Sequence, residues 1–187
     1  LKFILEKMEH LQQIKDIHNL LDNILIETRN FTNSDAGTIF LVENNKLKFS
    51  YVQNDSIFSN DILCNKYIYS SKEIEINEKS LAGHVAFTGK PLIIEDAYKI
   101  DKNAPYTFNT YFDKISSYRT KSILLVPLKT TKEKVVGVIE LINAMDDKQK
   151  VRSFTNADKL FTTQFAFYAS NAIEKARIYI SGQNILL

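Results

Sequence analysis

Cysteine is almost missing from this sequence of 187 residues, in which Cys64 is the single thiol. One cysteine excludes an internal disulfide, a multi-cysteine zinc site and redox chemistry by a cysteine pair, and it fits a reducing cytoplasm. Apolar runs all stop short of the roughly 18 residues that cross a membrane, and the charged opening segment is unlike a signal peptide. We therefore expect a cytoplasmic chain with no membrane partner.

An excess of one charge is also missing. The 24 basic and 22 acidic residues leave a net charge of +2, and the basic residues are scattered, so nothing indicates a nucleic-acid partner. The three histidines, His10, His18 and His84, are far apart, and no glycine-flanked nucleophilic serine is present. We expect no metal site and no catalytic residues, and hence no enzyme. The apolar content of 44% predicts one buried core.

A short helix that leads into a strand has the clearest local signals in the chain. Ser80 is a good N-cap, and the next eight residues give about two helical turns. Gly89 stands where a left-handed residue ends a helix, and Pro91 follows shortly after it. The sequence therefore predicts a helix over 81–88 and a strand after Pro91.

The start of this helix is a candidate anion site. Backbone N–H groups of a first helical turn have no intrahelical acceptor, so those near Leu81, Ala82 and Gly83 could receive a phosphate. The small side chains of Ala82 and Gly83 would allow a close approach. The alternative is a compact connection between helix and strand with no ligand.

A long amphipathic helix is predicted from Leu5 to Phe31, because apolar residues recur there at intervals of three and four. The first part of its apolar seam lies before the domain proper and consists of Leu5, Met8, Leu11 and Ile14. Such a seam needs a partner helix, which is either the C-terminal helix or a second copy of the chain. A homodimer through the terminal helices is therefore expected.

Two hairpins are predicted next. The first joins Ala36–Val42 to Leu47–Gln53 through a turn at Glu43–Asn45, and the second joins Lys121–Leu128 to Val135–Asn143. Strict alternation in the second strand of the first hairpin predicts a core face and a mixed face that could line a pocket. The core face is Leu47, Phe49 and Tyr51, and the mixed face is Lys48, Ser50 and Val52.

The remaining segments complete an antiparallel α+β domain. We expect a loop or irregular helix over Asn54–Ser71, an edge strand over Glu73–Asn77, and a mobile loop over Lys99–Ser117 with a short helix near Thr107–Ile115. A charged loop over Asp146–Arg152 then precedes a closing helix over Phe154–Ile180, capped by Ser153 or Thr155.

Glu140 interrupts an otherwise apolar strand, on the face that Val136, Val138 and Ile142 share under strict alternation. A lone carboxylate there needs a partner, because desolvation of the charge is costly.

The sequence resembles GAF domains, the small-molecule sensor modules of cyclic-nucleotide phosphodiesterases and many bacterial signalling proteins. The matching stretches are SLAGHVAFTGKPLIIEDAY, TIFLV, YRTKSI and VGVIELIN, and they extend in register from about Leu20 to Ile173. The resemblance implies a central antiparallel sheet of about six strands, with long N- and C-terminal helices on one face and a ligand pocket of short helices and loops on the other. It also implies a linker helix over 1–16, the GAF domain over 17–176, and from 177 to 187 the start of a linker to an output domain on the same chain.

The resemblance also implies the site. Leu81 and Ala82 match residues whose amides hold a cyclic phosphate, with Gly83 beside them, and Asp113, Ser116 and Thr120 match a lid segment. Thr38 and Glu140 match strand residues that face the base, and Val52 with Gln53 matches an aromatic residue followed by a polar one. The family signature is matched at Asn143, Phe154 and Asp158.

Three positions depart from the family pattern. Val52 cannot stack on a purine, Ala144 replaces the signature lysine, and Lys159 replaces the glutamate. The ion pair between the lysine and the aspartate is therefore absent in its usual form, and Lys148 is a nearby candidate to replace the lysine.

The expected function is thus a regulatory domain that binds a small molecule, with cyclic AMP or cyclic GMP as the leading candidate, and relays binding to the output domain. The alternatives are a sensor of a non-nucleotide metabolite and a ligand-free dimerisation and relay module. A ligand-binding domain requires a cavity with polar ends, whereas a ligand-free module requires bulky side chains that fill the sheet face.

Overall fold

The computed structural model describes residues 16–58 and 72–183, together with Glu6, Lys7, Glu9 and Leu11. The helices are α1 (Ile17–Thr32), α2 (Asp55–Phe58), α3 (Leu81–Thr88), α4 (Tyr111–Ser116) and α5 (Asn156–Gln183). The strands are β1 (Ser34–Glu43), β2 (Lys46–Asn54), β3 (Glu73–Glu75), β4 (Leu92–Ile94), β5 (Ile123–Lys129), β6 (Val135–Met145) and β7 (Val151–Arg152). Cys64 and three of the seam residues, Leu5, Met8 and Ile14, lie outside the described residues.

One antiparallel sheet organises the domain. Its strand order is β3-β2-β1-β6-β5-β4, and β7 pairs with the end of β6. Both predicted hairpins are present, with β1 and β2 joined through Asn44 and Asn45, which have the positive φ angles that a tight hairpin turn needs. The predicted α+β class with a central antiparallel sheet is confirmed, and the six strands of the main path agree with the expected number.

The two long helices α1 and α5 cover one face of the sheet, which we call the helix face. Apolar side chains from both helices and the sheet form a closed core there, in which Leu21, Ile24, Ile39, Leu141 and Phe165 are at most 1% exposed. Burial of that much apolar surface is the main stabilising term of the fold. The predicted placement of the terminal helices is confirmed.

The opposite face, which we call the cavity face, carries a second apolar cluster. Its buried members include Phe40, Leu47, Val85, Leu125 and Val138. The short helix α3 packs on this cluster. The cluster covers only part of the sheet, and the uncovered part forms the floor of the cavity described below.

The predicted long N-terminal helix is not continuous. Asp16 has an extended backbone, and its side chain accepts a hydrogen bond from the N–H of His18, so Asp16 caps a separate helix α1. Leu11 is fully buried in the core of its own chain. The amine of Lys7 also lies 3.0 Å from the Glu27 carboxylate of α1. At Leu11, therefore, the seam is covered within its own chain, in a core that includes α5, and needs no second copy to bury it.

The predicted faces of β2 are also wrong, because the strand contains a β-bulge. Ile39 pairs with Tyr51 while Phe40 pairs with Phe49, so Ser50 is an extra residue that faces solvent. After the bulge the alternation starts again. Phe49 and Val52 therefore both lie on the cavity face, whereas Tyr51 packs on the helix face and its hydroxyl contacts His18.

A similar irregularity separates Val136 from the other apolar residues of β6. The register between β5 and β6 shifts after Leu128, and Val136 packs in the core of the helix face. Val138 and Ile142 lie on the cavity face as predicted. Glu140 therefore shares its face with those two residues and not with Val136.

Arg152 joins the ends of three elements. Its guanidinium donates to the carbonyl of Thr32 at the end of α1 (2.9 Å), to that of Met145 at the end of β6 (3.3 Å), and to the carboxylate of Asp158 in α5 (2.7 Å). The segment predicted as a charged loop thus ends in strand β7, where Arg152 pairs directly with Ala144. Arg152 therefore supplies the cation for Asp158 that the family pattern has as a lysine at position 144. Lys148, which was expected to replace that lysine, does not pair with Asp158.

Asp158 also completes the cap of α5. Its carboxylate accepts from the N–H of Thr155 at 2.8 Å, and its own N–H donates to the Thr155 hydroxyl at 3.1 Å. This reciprocal pair is a capping box, and it confirms Thr155 as the cap instead of Ser153.

Among the helices that the structure describes, none has both the length and the apolar character needed to cross a lipid bilayer.

Candidate ligand cavity

A cavity of about 880 Å³ lies on the cavity face, between the sheet, α2, α3, α4 and the segment around β3. This volume falls within the usual range of small-molecule pockets. Its apolar and aromatic lining is Ala36, Phe40, Phe49, Val52, Ile57, Ile74, Leu81, Ala82, Phe108, Tyr111, Phe112, Tyr118 and Ile142. Its polar lining is Thr38, Gln53, Asn54, Lys72, Glu73, Glu75, Asn77, Lys79, Ser80, Thr107, Asn109, Asp113, Ser116, Thr120 and Glu140.

The N-terminus of α3 points into this cavity. Ser80 caps the helix by accepting from the N–H of Gly83 at 3.1 Å, and Gly89 ends it with φ of 63°. Both signals agree with the prediction. Leu81 and Ala82 line the cavity, and their N–H groups belong to the first turn, which has no intrahelical acceptor.

Gly83 has a different role from the predicted one. A Cβ at this position would approach the Ser80 hydroxyl to 2.6 Å and would collide with the carbonyl of Glu75. The missing side chain therefore lets α3 pack against the chain that precedes it. The space beside Gly83 is therefore filled by the protein and is not open to an anion. Its N–H is also occupied, because it donates to the cap residue Ser80.

The floor of the cavity contains three of the predicted residues side by side. Thr38 in β1 pairs with Val52 in β2 on one side and with Glu140 in β6 on the other. All three lie on the cavity face. The sheet register therefore brings together residues that are far apart in the sequence.

Glu140 is a polar group on this floor that has no partner among the described residues. Its carboxylate makes no hydrogen bond or ion pair with any other residue that the structure describes. Burial raises the pKa of its carboxyl to about 7, because water that would stabilise the charge is partly excluded. A ligand that offers N–H donors could satisfy this group.

Asp113 is held much more firmly than a lid residue needs to be. Its carboxylate accepts from the Tyr98 hydroxyl (2.8 Å), the Thr120 N–H (2.8 Å) and the Thr120 hydroxyl (2.7 Å), and its side chain is buried. Asp113 and Thr120 do line the cavity, as predicted. Their polar atoms, however, already bond one another and tie the first turn of α4 to the segment just before β5.

Two other predicted residues are also occupied by contacts within the chain. Ser116 lines the cavity, but its hydroxyl donates to the carbonyl of Phe112 at 2.6 Å. The amide of Gln53 bonds Asp22 and Arg29 on the helix face. Gln53 therefore ties β2 to α1.

A network around Tyr118 was missed by reasoning from the sequence. The Tyr118 hydroxyl donates to the carboxylate of Asp35 at 2.6 Å and accepts from the amide of Asn143 at 3.0 Å. Burial, the hydrogen bond to Asp35 and its negative charge raise the pKa of this phenol far above its usual value. Tyr118 thus stays neutral and connects the cavity wall to β1.

Asn143 holds the same wall from the other side. Its side chain accepts from the N–H of Lys121 at 2.7 Å and donates to the carbonyl of Arg119 at 2.8 Å. Its backbone has φ of 54°, a left-handed conformation that asparagine tolerates better than most residues. This geometry gives the signature asparagine a physical role, which is to fix the segment between α4 and β5.

Aromatic rings surround the floor. Phe49 of β2 contacts Phe40 and Phe112, with ring centroids 4.6 and 5.5 Å away, and Tyr111 contacts Phe112 at 5.3 Å. Val52 itself offers no ring. A planar ligand can nevertheless contact Phe49, which was expected in the core, and Phe112.

Within the described ranges, no group of three or more His, Cys, Asp or Glu residues could hold a metal ion. His84 lies in α3 and packs its ring on Tyr106, with 4.8 Å between the ring centroids. Its Nδ1 atom is buried and has no partner among the described residues.

The curled antiparallel sheet, the two terminal helices on one face and the cavity on the other define a GAF fold. The sequence model of the GAF domain family matches residues 16–173, and the chain belongs to this family.

One relative is the dual 3',5'-cyclic-AMP and -GMP phosphodiesterase 11 of Drosophila melanogaster, which is 26% identical over 171 residues. The match covers 89% of this chain and 11% of that protein, so the chain spans about a tenth of the relative's length.

Solved structures agree with the fold. The GAF domain of the Acinetobacter phosphoenolpyruvate-protein phosphotransferase has a TM-score of 0.72 at 17% identity, covering 95% of this chain and 94% of that one. The free methionine-R-sulfoxide reductase of Neisseria meningitidis, solved with its substrate, has a TM-score of 0.67 at 13% identity, covering 94% and 89%. GAF domains are typically small-molecule sensors in signalling proteins and are generally regulatory, although some proteins with this fold are enzymes.

Proposed function

We propose that this chain is a regulatory GAF domain that binds a cyclic nucleotide in the cavity and relays binding to an output domain on the same chain. The observation that carries the proposal is the cavity of about 880 Å³, with a helix N-terminus in its wall and, on its floor, a carboxylate that has no partner among the residues the structure describes. A cyclic nucleotide has the matching features, a phosphate at one end and a base with N–H groups at the other.

The cavity also favours a ligand-binding role over a ligand-free dimerisation module. A ligand-free module needs a filled sheet face, and the core of the helix face shows that this chain can build one. On the cavity face, as far as the described residues go, Phe49 and Phe112 border a space and do not fill it. Their rings supply the aromatic contact that Val52 cannot, worth roughly 1–3 kcal/mol by analogy with bases stacked on proteins.

A catalytic role is less well supported. Redox chemistry by a cysteine pair is excluded, because Cys64 is the only cysteine here. We therefore assign a regulatory role, without a required cofactor, and place it in the cytoplasm.

A second copy of the chain is the partner that we propose for the outer surface of α5. Leu160, Phe167 and Ile178 are exposed there, with exposed fractions of 64%, 48% and 68%. Spacings of 7 and 11 residues place these three side chains on one stripe of the helix. A homodimer would bury the stripe and pass a movement of α5 on to the output domain.

Light scattering tests the dimer. We expect a dimer for the unaltered chain and a monomer for Phe167→Lys, because a buried lysine would be desolvated without a partner. Phe87→Lys is the matched control, since Phe87 is also exposed but lies on α3. A monomer at high concentration for the unaltered chain would contradict the dimer.

A thermal-shift screen followed by calorimetry tests ligand binding. The screen compares cyclic AMP, cyclic GMP and common metabolites, and we expect a cyclic nucleotide to raise the melting temperature. A ligand at a hundred times its dissociation constant adds about 2.7 kcal/mol to the free energy of unfolding. A shift with a metabolite alone would identify a non-nucleotide sensor, and no shift with any compound would favour the ligand-free module.

A further inference from the structure

We infer that Arg29 of α1 is a positioning residue for the cavity, because it holds α2 in the cavity wall, and that a ligand in contact with α2 acts on α1 through the pair of Arg29 and Asp55. For the ligand this rests on the proposed function, and it adds the contact through which the cavity is connected to a terminal helix. The contact itself can be tested without any ligand.

The guanidinium of Arg29 lies where α1, β1, β2 and α2 meet. It donates to the carbonyls of Ser34 (3.3 Å) and Asp35 (2.8 Å) in β1, and to the side-chain oxygen of Gln53 (3.1 Å) in β2. It also pairs with the carboxylate of Asp55, the first residue of α2. Arg29 therefore connects a helix of the helix face to a helix that borders the cavity.

Gly37 of β1 leaves the room that Arg29 needs. A Cβ at this position would come within 3.1 Å of the Cγ and Cδ atoms of Arg29 and within 2.9 Å of the Cδ1 atom of Leu25. A glycine inside a strand often marks such a close approach, and here it lets the arginine side chain lie against β1. The side chain of Arg29 is accordingly only 10% exposed.

The short helix α2 makes contacts in two directions. The carboxylate of Asp55 pairs with Arg29 of α1. The hydroxyl of Ser56 donates to the carboxylate of Asp35 in β1 at 2.8 Å. The side chain of Ile57, in contrast, lines the cavity. A ligand that displaces or fixes Ile57 therefore acts on the contacts that α2 makes with α1 and β1.

Burial makes the pair of Arg29 and Asp55 important. The guanidinium is largely removed from water, and among the described residues Asp55 is the one whose carboxylate pairs with it. Loss of the counter-charge of a buried cation is costly, so movement of α2 away from α1 is opposed. Because coupling between two sites is reciprocal, a movement of α1 at Arg29 also changes how tightly the cavity holds a ligand that contacts α2.

NMR of the chain with isotope-labelled arginine side chains tests the pair directly. The Nε–H signal of Arg29 is identified as the one that Arg29→Lys removes. We expect Asp55→Asn to shift this signal and to speed its exchange with water by roughly tenfold, as for the loss of a charge-assisted contact. The side chain of Asp55 is 76% exposed, so the variant should fold.

Two further variants make the comparison specific. Asp55→Glu keeps the carboxylate and should retain most of the protection of the Arg29 signal. Asp147→Asn is the matched control, because Asp147 is also exposed and lies in the turn between β6 and β7. It should leave the signal unchanged.

Ile57→Ala tests the connection to the cavity without a ligand. It shortens the side chain by which α2 lines the cavity and leaves Asp55 in place. We expect it to shift the Arg29 signal in the unaltered chain but not in the Asp55→Asn background, which is the signature of two coupled positions. A purely structural role of Arg29 predicts no response to Ile57→Ala.

Saturating cyclic AMP or cyclic GMP provides the test with a ligand. The nucleotide that binds in calorimetry should shift the Arg29 signal of the unaltered chain. In Asp55→Asn the nucleotide should still bind, because Asp55 does not line the cavity, but the Arg29 signal should no longer respond.

The outcomes separate the inference from the proposed function. If Asp55→Asn or Ile57→Ala leaves the Arg29 signal unchanged, the inference is overturned whether or not a nucleotide binds. If both act as expected and neither nucleotide binds, the positioning role of Arg29 stands and the proposed function is overturned. If a nucleotide binds without any shift of the Arg29 signal, the proposed function stands and the action of the ligand on α1 through this pair is overturned.

Discussion

The two faces of the sheet differ in how one carboxyl group on each is held. On the helix face, the buried carboxylate of Asp158 meets Arg152 and Thr155, and Arg29 contacts Ser34, Asp35, Gln53 and Asp55. On the cavity face, Glu140 has no partner among the described residues, and a volume of about 880 Å³ is left next to it. Asp113, which also lines the cavity, has a fully bonded carboxylate, so the difference is local to Glu140 and makes its surroundings the part of the cavity to test for binding.

Truncation of one phenylalanine on each face gives the largest expected effect. Phe165→Ala opens a hole in a closed core and should lower the free energy of unfolding by about 4 kcal/mol. Phe49 already borders the cavity, so Phe49→Ala should cost clearly less, about 2 kcal/mol. Urea unfolding measures both. Equal losses would mean that the cavity face is as tightly packed in solution as the helix face.

Removal of Arg152 should have the next largest effect. Arg152→Ala leaves Asp158 buried without its cation and frees the carbonyls of Thr32 and Met145, at an expected cost of about 3 kcal/mol. Lys148→Ala is the control and should change stability by less than about 0.5 kcal/mol.

A second substitution tests the ion pair itself. Ala144 pairs directly with residue 152, so Ala144→Lys in the Arg152→Ala background places a cation near Asp158 again. We expect part of the lost stability to return. No recovery, with a stability no lower than that of Arg152→Ala alone, would indicate that Arg152 acts through its bonds to the carbonyls; a further loss would mean that the fully buried position 144 does not accept a lysine.

The pH dependence of stability comes third. The pKa of Glu140 rises from 4.5 in the unfolded chain to about 7 in the folded one. Between these values the folded chain holds more protons than the unfolded chain, so the free energy of unfolding falls as the pH rises and then stays level with respect to this group. The shift corresponds to at most about 3 kcal/mol.

The difference between the unaltered chain and Glu140→Gln isolates this group from all others that titrate. Urea unfolding at about pH 5 and about pH 8 should show Glu140→Gln gaining on the unaltered chain at the higher pH. A constant difference would place Glu140 in contact with water or with a partner, and would remove the contrast between the two faces.

Ligand binding at α3 gives the smallest of these effects. Ala82→Pro removes one N–H at the helix N-terminus and should weaken binding of a cyclic nucleotide by about 2 kcal/mol, the usual worth of a charge-assisted hydrogen bond. Proline is tolerated in a first helical turn, so the fold should survive. Ala82→Gly keeps the N–H and should bind nearly as well. Unchanged binding by Ala82→Pro would move the phosphate to another part of the cavity.

The sequence predicted those parts of the fold that depend on local signals. The cap at Ser80, the end of the helix at Gly89 and the two hairpins follow from preferences that act over a few residues. The resemblance to GAF domains placed Thr38, Val52 and Glu140 together, and the register of the sheet brings them side by side.

The predictions that were wrong concern residues whose position or partner is determined by a segment far away in the sequence. Alternation in β2 gave the wrong faces because the extra residue becomes visible only when β2 is paired with β1. The partner of Asp158 was sought at Lys148, since nothing in the sequence indicates that β7 pairs with β6 and carries Arg152. Asp113 matched a lid position, but only the structure shows that Thr120 and Tyr98 occupy its carboxylate.

The bulge in β2 also determines which changes of chain length this strand would tolerate. Ser50 is the residue without a counterpart in β1, and its side chain faces solvent. Deletion of Ser50 would leave Phe49 opposite Phe40 and Tyr51 opposite Ile39, so the pairing would become continuous and no side chain would change face. Deletion of Val52 or Gln53, with the bulge kept in place, would instead exchange faces up to the end of the strand. In homologues, a gap at Ser50 is thus compatible with the same cavity lining, whereas a gap two residues later is not.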